Sequence, residues 1–291
     1  MKNLNTNNSL KIISLNTQDQ NIWFTSDTHF WHSNIIEYTN RPFKDVLEMN
    51  QELIRRWNDK VKENDIIFHL GDFAHCGSDK LKELLSVLHG KKYLILGNHD
   101  WRTFKSNHSQ WFEGIYQQLC IKINGRRVYL NHFPFLCYTG TFKGPENATY
   151  QLFGHVHSGI LNTKFLDKPR LKYLFPYQYD VGVDNNNFTP ISWDEVCEKI
   201  NKNIEKVKTM VLIRKYERFN EEGKPKDPIL VSETGPLEKS AALQSIQDNI
   251  EGYLENGYKL KIGPEGHLSV YREESTSITD HHIWYTLNEI T

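Results

Sequence analysis

Over the first hundred residues, short apolar runs alternate with stretches whose apolar positions recur three and four apart. Residues 10–15 and 22–25 predict two short strands around a polar turn, and 65–70 and 93–96 predict two more. The run at 65–70 is apolar without a break apart from His69, which suits a strand covered on both faces. Between the strands, Val46, Met49, Leu53, Ile54, Trp57 and Val61 fall on one face of a helix over residues 45–62. A second helix is expected from an N-cap at Ser78 to His89, closed by Gly90. Strand and helix alternating in this way predict an α/β sandwich.

The pattern changes past residue 118. Runs at 119–123 and 127–131 flank Asn124-Gly125, a hairpin signal, and His132 ends the second arm. Residues 150–153 predict a strand running into Gly154-His155-Val156-His157, residues 173–183 are largely extended, and Ser192 with Glu195 makes a capping box for a helix to about residue 206. From about residue 209 the composition shifts again. Strands are expected at 211–218, 229–232 and 283–287, a helix at 237–255 closed by Gly257, and a hairpin of 260–262 with 268–271 around Gly263 to Gly266. The chain therefore reads as a flexible tail at 1–9, an α/β domain at 10–206 and a small α+β module at 207–291. The module carries no motif; a lid, an oligomerisation surface, a docking domain and a plain packing extension are all open for it.

Composition mostly excludes. With 35 Lys and Arg against 36 Asp and Glu, the charge gives no non-specific grip on nucleic acid or an acidic membrane. No apolar run approaches the roughly 18 residues of a spanning helix. The polar, Asn-rich start lacks the apolar core of a secretory signal. Cys76, Cys120, Cys137 and Cys197 show no CxxC spacing and read as free thiols, so a cytoplasmic location is expected.

Candidate chemistry gathers where strands end. Asp27-Thr28-His29 follows the run at 22–25, Gly71-Asp72 the run at 66–70, and Gly97-Asn98-His99-Asp100 the run at 93–96; His132, His155 and His157 come later. Ligands of open α/β sheets bind outside the carboxyl ends of strands. Mixed oxygen and imidazole donors suit manganese, iron or zinc better than calcium or magnesium. The set is larger than one metal needs, whereas two ions about 3.5–4 Å apart sharing Asp72 would use it. Singly, each histidine is an ordinary surface or core residue more often than a ligand; their placement at successive strand ends reverses that.

In this order the blocks resemble the calcineurin-like metallophosphoesterase family over roughly residues 20–200, and Ser26 to Phe30 with Asn40-Arg41-Pro42-Phe43 looks like its small bacterial and phage members. The resemblance implies a four-layer β-sandwich flanked by helices. It assigns Asp27, His29 and His157 to one divalent metal, Asn98, His132 and His155 to a second, and Asp72 to a bridge. His99 matches the family's catalytic proton donor or phosphate-contacting histidine. Two Mn²⁺ ions are expected, with Fe, Zn or Ni as alternatives. The implied reaction is hydrolysis of a phosphate ester by in-line attack of a metal-bridging hydroxide, His99 protonating the departing alkoxide. Asp27 or Asp100 is expected to orient His99.

The partner implied is a small phosphate ester, such as a nucleotide or another small diester. The first 200 residues hold no large insertion that would build a protein-docking groove, so a phosphodiesterase is favoured over a phosphomonoesterase or protein phosphatase. A nuclease is weighed against by the lack of a basic stripe interleaved with aromatics. A non-catalytic metal-binding scaffold is the alternative of another class, opposed by the presence of every ligand position and of His99. Arg41 is weighed as a phosphate clamp against a salt bridge, and His32 and His75 as substrate contacts against structural or solvent-facing roles. His69 is expected as a satisfied core histidine, the loop at 138–147 as an edge of the site, and Trp31, Tyr138 and Phe142 as packing. Asp280-His281-His282 reads as a terminal polar turn. Oligomeric state is open.

Overall fold

The computed structural model describes residues 12–104, 110–141, 143, 147–162, 171, 173–208, 210–221, 224–225, 227, 229–256, 258–262, 268–272 and 281–289. The tail at 1–9, the first two residues of the strand expected at 10–15, Phe142, Gly257, the turn at 263–266 and Asp280 lie outside the described residues. The chain divides into two compact units, Met1–Asn203 and Ile204–Thr291.

Two mixed five-stranded sheets make the first unit. One contains β1 (Ile13–Leu15), β6 (Gln118–Ile123), β7 (Arg126–Asn131), β8 (Tyr150–Phe153) and β9 (Gln178–Asp180), in the order β1-β6-β7-β8-β9. The other contains β2 (Ile22–Thr25), β3 (Ile66–His69), β4 (Lys91–Ile95), β5 (Gly114–Tyr116) and β10 (Ile191–Ser192), in the order β10-β2-β3-β4-β5. Strands β2 to β5 run parallel, so their carboxyl ends share one edge. In the first sheet β7, β8 and β9 are parallel too, while β6 and β7 form the expected hairpin. Its turn residues Asn124 and Gly125 both have positive φ, 49° and 81°, as a tight two-residue turn requires.

Alternation along the strands sorts side chains between two cores. Ile67 of β3 and Leu94 of β4 join a cluster with Met49, Leu53 and Trp57 of α2 (Val46–Lys60) and Leu81, Leu84 and Leu85 of α3 (Ser78–Val87). On the opposite face Phe24, Phe68 and Tyr93 stack, and Trp193 packs against both Phe24 of one sheet and Tyr150 of the other. Helices therefore flank two sheets that face each other, the α/β sandwich expected. Asp45 caps α2 by accepting from Leu47 N and Glu48 N at 3.0 and 2.9 Å. The capping box of α5 (Trp193–Lys208) forms in both directions, Ser192 N to Glu195 Oε2 at 2.8 Å and Glu195 N to Ser192 Oγ at 3.2 Å. One helix differs from expectation. α3 starts after Gly77 without a side-chain cap and stops at Val87, two residues early. Leu88 turns into the core instead, and His89 N is held by Asn58 Oδ1 of α2 at 2.9 Å.

The second unit is an antiparallel sheet with one helix, α6 (Lys239–Glu255). Strands β11 (Met210–Glu221), β12 (Lys224–Pro225), β14 (Lys259–Ile262), β15 (Leu268–Arg272) and β16 (His281–Glu289) follow the order β12-β11-β16-β15-β14, and β13 (Ile229–Glu238) also pairs with β11. Ile246 and Ile250 of α6 pack on Val270 and Ile283. His281 and His282 are not the polar turn expected. They begin β16, opposite Phe219 and Arg218, because the last strand is longer than its apolar stretch. Among the described residues no helix is long and apolar enough to cross a membrane.

Candidate metal centre

Each candidate side chain leaves the sheet edge within a few residues of a strand end. The segments after β2 and β3 run side by side: Asp27 N donates to Gly71 O at 2.9 Å, His29 N to Asp72 O at 3.0 Å and Phe30 N to Phe73 O at 3.0 Å. Asp27, His29, Asp72, His155 and His157 all take positive φ, between 47° and 70°. Such values are uncommon outside glycine and gather at functional sites. Close approach explains two of the neighbouring glycines. A Cβ at Gly97 would strike the Asp72 carboxylate, and one at Gly154 would strike Ser26 Oγ and the Asp27 carboxylate.

Two donor sets converge, Asp27 with His29 and His157, and Asp72 with His132 and His155; within each set the ligand atoms lie within 4.8 Å of one another. Asp72 Oδ2 stands between the sets, 3.6 Å from His29 Nε2 and 3.4 Å from His132 Nε2. Asn98 joins the second set with its Oδ1 3.0 Å from His132 Nε2. The seven positions expected as ligands are thus brought together.

The electrostatics of these groups call for cations. His29 Nε2 is buried and has no hydrogen-bond partner, with Asp72 Oδ2 3.6 Å away. Burial first, then the neighbouring His157 and Arg41, hold the His29 imidazole well below its usual pKa and therefore neutral. The Nδ1 of His132 lies 2.8 Å from Leu70 O and so carries the proton, leaving Nε2, Asn98 Oδ1 and Asp72 Oδ2 as three acceptors aimed at one another. Only a proton or a metal can settle such a group. Without a metal, the hydrogen bond to Asp72 and the charges of Asp27 and Asp72 outweigh burial and raise His132 to about 9. Burial pushes Asp27 up to about 6, against the pull of His157 and His132. Carboxylates and imidazoles buried together in this way fit divalent ions.

The supports behind the ligands were only partly anticipated. Arg41 is no phosphate clamp. Its guanidinium is buried and all five N–H groups are engaged: Nε and Nη2 on the two Asp184 oxygens at 2.9 and 2.8 Å, Nη2 on Asp27 O at 2.7 Å, and Nη1 on Thr28 O at 3.0 Å and Met49 Sδ at 3.5 Å. Asp184 in turn holds His157 Nδ1 at 2.7 Å, directing Nε2 toward Asp27. Burial would raise the Asp184 carboxyl, but Arg41 and His157 hold it well below the ordinary range. Asp100 does not orient His99. Its carboxylate accepts from Gly97 N, Asp72 N and Phe73 N at 2.8, 2.8 and 2.9 Å, latching the loop after β4 to the loop after β3. Nor does Asp27, whose oxygens accept from His155 N at 3.1 and 2.9 Å. His99 is set by Asp72 instead, its backbone N donating to Oδ1 at 2.9 Å and its Nε2 lying 4.0 Å from Oδ2.

His69 is satisfied as expected, between Thr28 Oγ1 at 2.9 Å and Gly71 N at 3.2 Å. Half-exposed His99, with His32 and His75, extends the imidazoles outward: His32 lies 5.2, 6.0 and 5.0 Å, ring to ring, from His29, His99 and His75. Trp31 and Tyr138 pack, against Lys80 and against Tyr129 and Phe135. The loop expected to edge the site, 138–147, is described only in part. Thr149 N ties back to Gly140 O, and Lys143 and Asn147 line a basic cleft beside the hairpin turn at Asn124-Gly125, away from the His132 end of β7. Asp180 and Asp184 were missed. Asp180 ends β9 and accepts from Gly182 N at 2.8 Å and Ser158 N at 3.2 Å. The strand-end rule that found the others would have found both, but Gln178-Tyr179-Asp180 is not an apolar run.

A sequence model of calcineurin-like phosphoesterases matches residues 20–262. The chain belongs to the calcineurin-like phosphoesterase family. It is similar to an uncharacterized protein of Methanocaldococcus jannaschii, 36% identical over 183 residues that make up 62% of this chain and 92% of that one. It is also similar to the gene 66 protein of Mycobacterium phage D29, 28% identical over 207 residues, 62% of this chain and 96% of the phage protein. A solved structure, of a protein of unknown function from Aquifex aeolicus, is 28% identical with a TM-score of 0.47, covering 62% of this chain and 98% of that one. Calcineurin-like phosphoesterases are hydrolases of phosphate esters, and this member carries two candidate metal sites.

Proposed function

We propose that the chain is a dinuclear metal-dependent phosphodiesterase acting on a nucleotide or another small diester: RO–PO₂⁻–OR′ and water give RO–PO₃H⁻ and R′OH. The observation that carries this reading is the position of Asp72 Oδ2 between His29 and His132, one oxygen serving both donor sets. Asp27, His29 and His157 would hold one ion, Asn98, His132 and His155 the other, with Asp72 shared; manganese suits this donor mixture, as do iron, zinc and nickel. Bound there, two divalent ions lower the pKa of water and neutralise charge on the phosphoryl oxygens.

The chain's own residues supply the rest. His99 is half exposed, anchored by its backbone to Asp72, and free to face a leaving oxygen to which it gives a proton. His32 and His75 flank the ester on the same side. Arg41 and Asp184 keep His157 in the tautomer that points Nε2 inward. The full engagement of Arg41 also favours a diester, because a monoester would bring a second negative charge that this guanidinium is not available to meet.

Hydrolysis of bis(4-nitrophenyl) phosphate and of 4-nitrophenyl phosphate with added Mn²⁺ tests the reading. Faster turnover of the diester is expected. Faster turnover of the monoester at matched concentration rules out the diesterase, and a protein that holds two metals yet cleaves neither ester, nor a cyclic or linear nucleotide, is a scaffold.

A further inference from the structure

Beside the second donor set lies an apolar pocket of about 330 Å³, walled by Phe133, Pro134, Leu136, Tyr173 and Leu174 and lined also by His155. It opens from the metal centre itself: the Phe133 ring stands edge-on to His132 at 4.9 Å and to His155 at 4.6 Å. Three of its apolar walls reach solvent, Phe133, Leu136 and Tyr173 being 43, 68 and 65% exposed. Large apolar groups left in water beside a polar centre mark a binding surface more often than chance.

The wall is also built. Two buried glutamines, Gln151 of β8 and Gln178 of β9, hold the backbone behind it: Gln151 Nε2 donates to Phe133 O at 2.9 Å and its Oε1 accepts from Phe135 N at 3.0 Å, while Gln178 Nε2 donates to Phe135 O at 2.8 Å. Asn131 Oδ1 accepts from Phe133 N at 2.8 Å. With the backbone of this segment fixed by four hydrogen bonds, the Phe133 ring is presented without the ordering cost a loose loop would bring.

Resting on the phosphodiesterase reading, we infer that this pocket receives the organic group that stays on phosphorus, and that the group is apolar and planar, with Phe133 as the specificity-determining residue. The leaving group must face its proton donor, and the ring neighbours of His99 are His29 and His32, on the side of the first donor set. The pocket adjoins His132 and His155, on the side of the second, so it is open to the retained group. Its walls offer ring faces and methyl groups, which select by shape and stacking rather than by hydrogen bonds. An aryl group and a nucleobase share that chemistry.

Methyl 4-nitrophenyl phosphate and phenyl 4-nitrophenyl phosphate have the same leaving group and differ only in the retained one; the 4-nitrophenyl ester of thymidine 5′-phosphate adds a base. With the manganese-loaded full chain, the phenyl ester is expected to exceed the methyl ester in kcat/KM by roughly ten- to a hundred-fold, the range an apolar pocket gives for small differences in a ligand. Phe133→Ala and Leu136→Asn should each shrink that ratio through a raised KM for the phenyl ester, with metal content still at two per chain. The thymidine ester behaving as the phenyl ester does identifies a base as occupant; behaving as the methyl ester does identifies an aryl group. A wild-type ratio near one, or a ratio that survives both substitutions, overturns the inference. So does a Phe133→Ala protein that loses metal and both activities alike while Leu136→Asn keeps the ratio, since Phe133 would then only support its histidine neighbours. If the wild type cleaves no ester in the set, the phosphodiesterase reading fails and the pocket assignment fails with it.

Discussion

One carboxylate oxygen of Asp72 faces His29 and His132 at 3.6 and 3.4 Å, so this residue couples the two donor sets. Asp72→Asn is expected to lower metal content at both positions together, measured by elemental analysis of the purified protein; loss of one ion alone would show that the oxygen is not shared. His99 is proposed as the proton donor beside the donor sets, its Nε2 4.0 Å from Asp72 Oδ2. His99→Ala should keep both metals and slow turnover by roughly 10²- to 10⁴-fold, the usual contribution of a general acid. Loss of metal in that variant would make His99 a ligand. Asp184 titrates differently from a surface acid. Its folded pKa is depressed, so its contribution to stability is complete above the ordinary carboxylate pKa of about 4 and is lost as pH falls through the lower folded value. The melting temperature of the metal-free protein should therefore drop on acidification below about pH 4, and Asp184→Asn should flatten that drop. The same substitution leaves Arg41 as a buried charge without its carboxylate and should cost about 3–5 kcal/mol in denaturant melts, with metal affinity weakened by about 10- to 100-fold through the released His157.

At the scale of the element, the site is a row of strand ends, and this is why so much of it was legible. A buried parallel strand announces itself as an unbroken apolar run, and an Asp, Asn or His directly after it has few structural reasons to be there. β2, β3, β4 and β8 all obey that rule. β9 does not: its three residues are Gln, Tyr and Asp, so Asp180 and Asp184 carried no comparable signal. Arg41 was left between a phosphate clamp and a salt bridge for another reason. A sequence shows that a guanidinium is present but not which way it turns, and only the packing of α2 beneath it and Asp184 beside it decides that all its donors point inward. Nor does an amino-acid string show φ, and Asp27, His29 and Asp72, all in the left-handed region, sit on backbone pairing between the segments after β2 and β3, such as Asp27 N with Gly71 O. That pairing leaves no room at the glycines. Gly97→Ala is expected to displace the Asp72 carboxylate and reduce metal binding while α2 and α3 stay folded, as read by calorimetric metal titration beside circular dichroism. Unchanged affinity would show that the loop after β4 yields easily.

At the scale of the whole molecule, neither sheet owns a metal site. Asp27, His29, Asp72 and Asn98 hang from β2, β3 and β4, while His132, His155 and His157 hang from β7 and β8. Each donor set therefore draws on both sheets, and an ion bound there ties them together across the Phe24, Trp193 and Tyr150 core. A ligand that binds only the folded state stabilises it by about 2.7 kcal/mol at a hundred times its Kd. Chelation should accordingly lower the melting temperature by several degrees, and excess Mn²⁺ should restore it; a melting temperature indifferent to both would mean that the sheets hold together without help from the site. The Arg41–Asp184 pair, 143 residues apart in the chain, sets a clock on this assembly. While the polypeptide is being made, Asp27, His29 and Asp72 leave the ribosome early, as three donors without a cage. The tautomer of His157 is fixed only once residue 184 has emerged and found Arg41. If the proposed site holds metal, its first donor set is therefore complete only in a chain made as far as residue 184.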